Sequence, residues 1–409
     1  MTYRAPKGTF DVLPPASRRW RRLLGAWDDW TARYGYEPVM TPVFELTEVF
    51  ARGVGEETEV VQKQMYTFTD RGGRSLTLRP EATASVVRAY LQAGAQGTWK
   101  VAMAGPMFRY EQPQAGRHRQ FFQLNVEYLG EEAPEADAEV VELGYRYLEA
   151  IEGPGLRVLL NSIGDPACRP RYVEVLRAYL AERLDDLCPE CRQRHLTNPL
   201  RVLDCKTCAP KLEDAPVPVD HLCEQCRRHY DRVRRVLTDL EVPFEEAPRL
   251  VRGLDYYTRT AFEYLSAELE IAHDSVGGGG RYDGLAELLG GPATPGVGFA
   301  LGLDRIVLAL AEVQEAGRLD LFMVVAEEER LDDALRLASR LRRGGLRVDL
   351  AVHGRSVKAQ FRAADRSQAP GVLVIGREWE EGKVTARRMD TGEQQLVAIE
   401  EVEEWATSL

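Results

Sequence analysis

From Leu321 to the C-terminus the hydrophobic pattern changes period every few residues, and this alternation narrows the available folds more than any other feature. Strand-like stretches at Leu321–Val325, Leu346–Val352, Gly371–Ile375 and Val384–Met389 are interleaved with helical ones at Leu331–Arg343 and Ser356–Asp365. Such a pattern builds a small α/β sheet covered by helices. The preceding part of the chain reads differently. Ser17–Tyr34 carries Trp20, Leu23, Leu24, Trp27 and Trp30 at helical spacing, which makes them a core face. Met65–Phe68 and Ser75–Leu78 alternate around Asp70-Arg71-Gly72-Gly73 as a hairpin does, and strands follow at Lys100–Met103 and Phe121–Tyr128. The expectation is an α+β domain on a mostly antiparallel sheet, followed by a C-terminal α/β domain.

A chain of 409 residues exceeds what one hydrophobic core sustains. The domains are expected at 1–320 and 321–409, with Gln314–Asp320 as linker and a cysteine- and proline-rich insertion at about 165–235 interrupting the first. The longest apolar run, Val297–Val313, is broken by Asp304 and Arg305, and no apolar stretch follows Arg4 and Lys7 near the N-terminus. Neither a membrane span nor a secretory signal is expected, so a cytoplasmic location is. Seven cysteines, an odd number that includes three C-x-x-C pairs, fit reduced thiols or a metal site better than a disulfide framework. The net charge of −11 would repel a polyanion at long range, but binding is set by local basic faces.

Chemistry begins at Gly105-Pro106-Met107-Phe108-Arg109-Tyr110-Glu111, which continues through a loop to Arg117-His118-Arg119-Gln120-Phe121. Arginines at a strand end and after the loop can surround a phosphate with planar, permanently charged donors, although arginine on a hairpin is more often a solvated face. Gly298-Phe299-Ala300-Leu301-Gly302-Leu303-Asp304-Arg305 is an apolar stretch with small residues that ends in an arginine; read alone, it is a helix start with a surface charge. No G-x-x-x-x-G-K-[ST] loop and no glycine-rich dinucleotide fingerprint is present, so a nucleotide must be held another way. The run Gly277–Gly280, taken by itself, reads as a flexible linker.

Together these pieces resemble class II aminoacyl-tRNA synthetases: the two arginine segments look like motifs 2 and 3, and Tyr36-Glu37-Pro38-Val39-Met40-Thr41-Pro42 looks like motif 1. Leu250–Arg259, paired with Gly277–Gly284, resembles the histidine-specific signatures of the histidyl-tRNA synthetases, and the likeness spans nearly the whole chain. It implies ATP with Mg2+, L-histidine and tRNA(His) as partners, a homodimer through motif 1, and a C-terminal anticodon-binding domain. Arg109 and Arg252 are implied at the α-phosphate, Arg252 doing part of what a magnesium ion does in related enzymes, with Arg117 and Arg305 at the remaining phosphates and the adenine. The run Glu81-Ala82-Thr83 with Gln123 is implied at the α-amino group, Glu127 and Tyr257 at the imidazole, and Tyr256 and Tyr282 in the pocket walls. Arg355, Lys358, Arg362 and Arg366 are candidates for RNA contact. Tyr110, Gln112 and Phe122 depart from the family's usual residues. The competing function is a histidine-binding regulatory paralogue that activates ATP phosphoribosyltransferase.

The pairs Cys188/Cys191, Cys205/Cys208 and Cys223/Cys226 each have the spacing by which two thiolates reach one zinc ion, and any two pairs would make a tetrahedral site. Reduced, partly buried thiols are the other reading. Cys168 reads as an ordinary core cysteine.

Overall fold

Two ten-residue stretches, Trp99–Phe108 and Gln120–Leu129, pair antiparallel along their whole length, Trp99 opposite Leu129 and Phe108 opposite Gln120. They are central to a first unit, Met1–Ala311; Glu312–Leu409 forms a second. The computed structural model describes residues 3–55, 58–112, 116–151, 155–267, 275–310, 319–351 and 356–409. The strands of the first unit are β1 (Glu37–Pro38), β2 (Phe44–Leu46), β3 (Tyr66–Thr69), β4 (Ser75–Leu78), β5 (Trp99–Phe108), β6 (Gln120–Leu129), β7 (Leu156–Ser162), β8 (Glu245–Glu246), β9 (Thr258–Ser266), β10 (Ser275–Arg281) and β11 (Gly296–Gly302). Eight make one sheet in the order β1-β5-β6-β11-β10-β9-β7-β8, antiparallel except for the short edge strands β1 and β8. The predicted hairpin is β3 and β4, joined by β2 in a separate three-stranded sheet.

The helices Ala16–Arg33, Pro134–Ala150 and Glu224–Asp239 bury Trp27, Tyr147, Val233 and Leu237 in one cluster with Leu124, Val126, Phe262 and Phe299 of the sheet. Each such side chain contributes roughly 1.5–3 kcal/mol by leaving water. Because neighbouring residues of a strand point to opposite faces, burying Leu124 and Val126 under the helices turns Gln123, Asn125 and Glu127 to the other side.

One expectation is corrected here. Gly277–Gly280 is no linker but part of β10, in the middle of the sheet. A β-carbon at Gly279 would lie 1.9 Å from the Gly298 carbonyl oxygen, and one at Gly277 2.3 Å from that of Ala300, so only glycine lets the three strands approach this closely. The cysteine-rich segment packs against two clusters of the first unit. Its last helix, Glu224–Asp239, packs into the main core through Tyr230, Val233 and Leu237, while Tyr172, Leu176, Cys191 and Cys208 share a second cluster with Tyr256, Tyr257 and Tyr282.

In the second unit β12 (Leu321–Val325), β13 (Val348–Leu350), β14 (Gly371–Ile375), β15 (Lys383–Arg388) and β16 (Gln394–Ala398) are ordered β13-β12-β14-β15-β16, the first three parallel and the rest antiparallel. The edge strand β16 escaped the sequence pattern because Gln394, Gln395 and Leu396 are exposed and only Val397 is buried. Helices Leu331–Arg343 and Val357–Ser367 lie where expected. Val352 and most of the Gln314–Asp320 linker fall outside the described residues. Among the described residues, no helix is long and apolar enough to cross a membrane.

Arg281, at the end of the glycine strand, is fully buried against the equally buried Asp137. Its Nε donates to Asp137 at 3.0 Å and its Nη1 to the Glu131 carbonyl and the Asp283 carboxylate, both at 3.0 Å. Burial pushes the Asp137 carboxyl up, but Arg281 and His229 more than offset this and hold it at about 2. Its contribution to stability is therefore complete above the unfolded value of 3.8 and fades as pH falls toward about 2. Arg281→Ala leaves that buried carboxylate with His229 as its remaining partner, with an expected loss of about 3–5 kcal/mol in urea unfolding at neutral pH. A loss below about 1 kcal/mol would show that the pair is not a strut.

Candidate nucleotide and amino-acid site

The face of the sheet opposite the helices opens into a cavity of about 430 Å³ whose lining includes Arg109, Arg117, Arg252 and Arg305 together with Glu81, Thr83, Gln123, Tyr256, Tyr257 and Tyr282. Ala82 and Glu127 do not line it. Ala82 is buried beneath the start of the helix Thr83–Gln92, and Glu127, only 1% exposed, stands behind Thr83 and Tyr282.

Each arginine is placed by a different element. Arg109 follows the last residue of β5, where its Nε donates to the Pro80 carbonyl at 2.9 Å and its guanidinium lies 5.4 Å from the Phe121 ring centroid. Arg117 returns from the loop and pairs with Glu111 at 3.6 Å. Arg305 sits in the first turn of the helix Leu303–Ala309, which begins as β11 ends, and its Nε donates to the Gly116 carbonyl at 3.3 Å. Burial and the nearby Arg117 lower its proton affinity, a sign of like charges held close. Arg252 pairs with Glu263 of β9 at 3.2 Å, while its Nε is buried without an acceptor among the described residues.

The same cavity is lined by carboxylate and phenol. Glu81 accepts from the backbone N–H of Thr83 at 2.8 Å and of Ala84 at 2.9 Å, so it caps the helix it precedes. Burial nonetheless raises its carboxyl above the usual range. Glu127 accepts from the Thr83 hydroxyl at 2.6 Å and from the Tyr282 hydroxyl. Burial drives its pKa up to about 8, against the pull of those two hydroxyls. Tyr256 lies 4.7 Å from Tyr257 and 5.8 Å from Tyr282 between ring centroids, a continuous aromatic wall.

Several lining residues were not anticipated. Asn125 lies between Gln123 and Glu127 on β6, where a period-two reading would have found it; its amide, like the Gln123 oxygen, is buried without a partner among the described residues. Glu263, which pairs with Arg252 from outside the lining, carries no motif either. Arg201 and Asp204 enter from the cysteine-rich segment, for which no sequence signal pointed to the cavity. The departures from family pattern are packing choices: Phe122 meets Trp20 edge-on at 5.1 Å, and Tyr110 lies 3.9 Å beneath the Arg119 guanidinium.

The cysteines sort into two groups, Cys188, Cys191, Cys205 and Cys208 in one, and Asp165, Cys168, Cys223 and Cys226 in the other. Cys168 is buried, as a core cysteine is, and lies within 4.8 Å of the other three donors of its group. In the second unit Lys358, Arg362 and Arg366 are exposed along one face of the helix Val357–Ser367, opposite the buried Gln360 and Ala364; Arg355 lies outside the described residues.

A family profile described as histidyl-tRNA synthetase matches residues 8–306, and one described as anticodon binding domain matches 320–409. The chain is 48% identical to a histidine–tRNA ligase of Desulforudis audaxviator, over 98% of this chain and 97% of that one. It is 45% identical to that of Geobacillus kaustophilus, over 98% and 97%. Its fold matches the crystal structure of the apo Staphylococcus aureus histidyl-tRNA synthetase with a TM-score of 0.83 and 37% identity, covering 99% of each chain.

The glycine strand ties fold to site. A β-carbon at Gly278 would lie 2.5 Å from the Phe262 carbonyl oxygen and 2.8 Å from Arg252 Nη1, whereas one at Gly284 meets nothing within 4 Å. Gly278→Ala should displace Arg252 and slow any reaction on a bound phosphate by about 100-fold, as misplacements near 1 Å do. Gly284→Ala is the control and should leave the rate unchanged. Equal rates for the two variants in a steady-state assay, with circular dichroism confirming both folds, would contradict this placement.

Proposed function

The chain belongs to the histidyl-tRNA synthetase family of class II aminoacyl-tRNA synthetases, and on that premise we propose how its first unit activates L-histidine with ATP and passes it to tRNA(His), a step of protein biosynthesis. The observation that carries the reading is the convergence of four arginines, from three distant segments, on one cavity that is also lined by carboxylate and phenol.

In the first step a carboxylate oxygen of histidine attacks the α-phosphorus of ATP, which enters as its magnesium complex; the bond to the β-phosphate breaks and pyrophosphate leaves. Charge gathers on the α-phosphoryl oxygens, and fixed guanidinium groups stabilise it without reorganising. Arg109 and Arg252 take this role. Arg252 is held only 18% exposed beside Glu263, with a free Nε donor, so it is oriented before the phosphate arrives. Arg117 and Arg305, whose charges repel each other, gain most from the remaining phosphates. In the second step a ribose hydroxyl of the tRNA attacks the histidyl carbonyl and releases AMP.

Glu81, Thr83 and Gln123 face the α-amino group, and the imidazole lies against Tyr257 and Tyr282. Glu127 acts from behind. Because Tyr282 donates its hydroxyl proton to it, that oxygen turns a lone pair toward the cavity and accepts a ring N–H. A ring without that donor leaves an acceptor unpaired, at a cost of about 1–3 kcal/mol.

The second unit, matched by the anticodon-binding profile, presents Lys358, Arg362 and Arg366 for RNA. Met40, Val43, Phe44, Leu46 and Phe68 are exposed around motif 1 and the three-stranded sheet, an apolar patch suited to a homodimer contact. The ATP and tRNA chemistry fits a cytoplasmic location. A regulatory role without catalysis is disfavoured because Arg252 and a complete second unit are both present.

The test is ATP–pyrophosphate exchange against a panel of amino acids, in which histidine alone should support exchange. Arg252→Ala should lower the exchange rate about 100- to 1,000-fold while histidine affinity, measured by calorimetry, changes less than about 3-fold. Equal losses in rate and affinity would remove Arg252 from the transition state.

A further inference from the structure

One thiolate-rich segment supplies both Arg201 and Asp204 to the cavity, and its cysteines are arranged as no packing argument requires. Zinc bound to four thiolates at about 2.3 Å sets them on a tetrahedron whose edges are about 3.8 Å. Cys188 Sγ and Cys205 Sγ stand 3.9 Å apart, and all four Sγ atoms of Cys188, Cys191, Cys205 and Cys208 lie within 4.8 Å of one another. That is too far for disulfides, and all seven cysteines are free. The Cys188 N–H points at Cys208 Sγ at 3.2 Å, the backbone support expected for a bound thiolate. The second group has the same metrics: Cys168 Sγ to Cys226 Sγ is 3.7 Å, the Cys226 N–H meets Cys223 Sγ at 3.5 Å, and the four donors lie within 4.8 Å. Its fourth member is a buried carboxylate, Asp165, whose Oδ1 accepts from the Ala167 N–H at 3.0 Å and lies 3.6 Å from Cys168 Sγ.

We propose that this chain holds two structural zinc ions, one on Cys188, Cys191, Cys205 and Cys208 and one on Asp165, Cys168, Cys223 and Cys226, and that together they brace the loop carrying Arg252, Tyr256 and Tyr257. The first site closes the turn that holds Asn198 and Arg201; both donate to Asp255, at 3.1 and 3.0 Å, and Arg201 also donates to the Gly253 carbonyl. The second fixes Asp165, whose other oxygen pairs with Arg259 at 3.3 Å, and the adjoining Arg169, which donates to the carbonyls of Gly164 and Tyr257. The loop is thereby tied at Gly253, Asp255, Tyr257 and Arg259 to segments that the two ions would close.

The full-length protein, produced in zinc-supplemented cells and purified without chelator or metal resin, is analysed by elemental and native mass spectrometry. The expected content is two zinc ions per chain, falling to one in Cys188→Ser/Cys205→Ser and to one in Cys223→Ser/Cys226→Ser. Hydrogen exchange over residues 251–259 should quicken in each variant. Wild-type protein holding none or one, or a chain 2 or 4 Da light through disulfides, overturns the proposal, and this stoichiometry decides even where a serine variant does not fold. Unchanged exchange in folded variants that have lost an ion overturns the bracing.

Discussion

Like charges must be kept together for this site to exist. Arg109, Arg117, Arg252 and Arg305 line the same space, and burial, followed by the charge of Arg117, lowers the proton affinity of Arg305. Guanidinium groups free to move would spread into water. They are retained because each is fixed at a point the sheet cannot give up: the end of β5, the return of its loop, the start of a helix after β11, and a loop resting on β9 and β10. An anion that enters relieves repulsion already built into the fold, so part of its binding energy is prepared before it arrives.

The glycine run allows this placement. β10 passes between β9 and β11 so closely that side chains on it would strike carbonyl oxygens on either side, and Arg252 and Tyr257 occupy the space those side chains would have taken. The strand is anchored at its end by Arg281, whose buried pairing with Asp137 joins the sheet to the helix Pro134–Ala150. The positive charge in this signature is therefore structural, and the charge that faces the ligand comes from the loop before β9.

Much of this was legible from residues alone. The period-two runs of β5 and β6, the helix Ala16–Arg33 and the alternation of the second unit are strong local patterns that tertiary context had no cause to override. The residues of the cavity were legible only in combination, since an arginine after a strand and a glycine run are each commonplace. What escaped reading depended on long-range packing. Glu263 and Asn125 matter because of what lies across the sheet from them. Arg201 and Asp204 reach the cavity because the cysteine-rich segment folds back onto the loop at Gly253, and no local pattern encodes that return. Glu127 meets the hydroxyls of Thr83 and Tyr282, residues far from it in sequence, and no local pattern encodes that contact.

A structure of the protein bound to a non-hydrolysable sulfamoyl analogue of histidyl-adenylate tests the central claim most directly. The account predicts the sulfamoyl group within about 3 Å of donors on both Arg109 and Arg252, with the imidazole enclosed by Tyr257 and Tyr282. An analogue bound with those two guanidinium groups turned away, or with its ring away from Tyr257 and Tyr282, would contradict it.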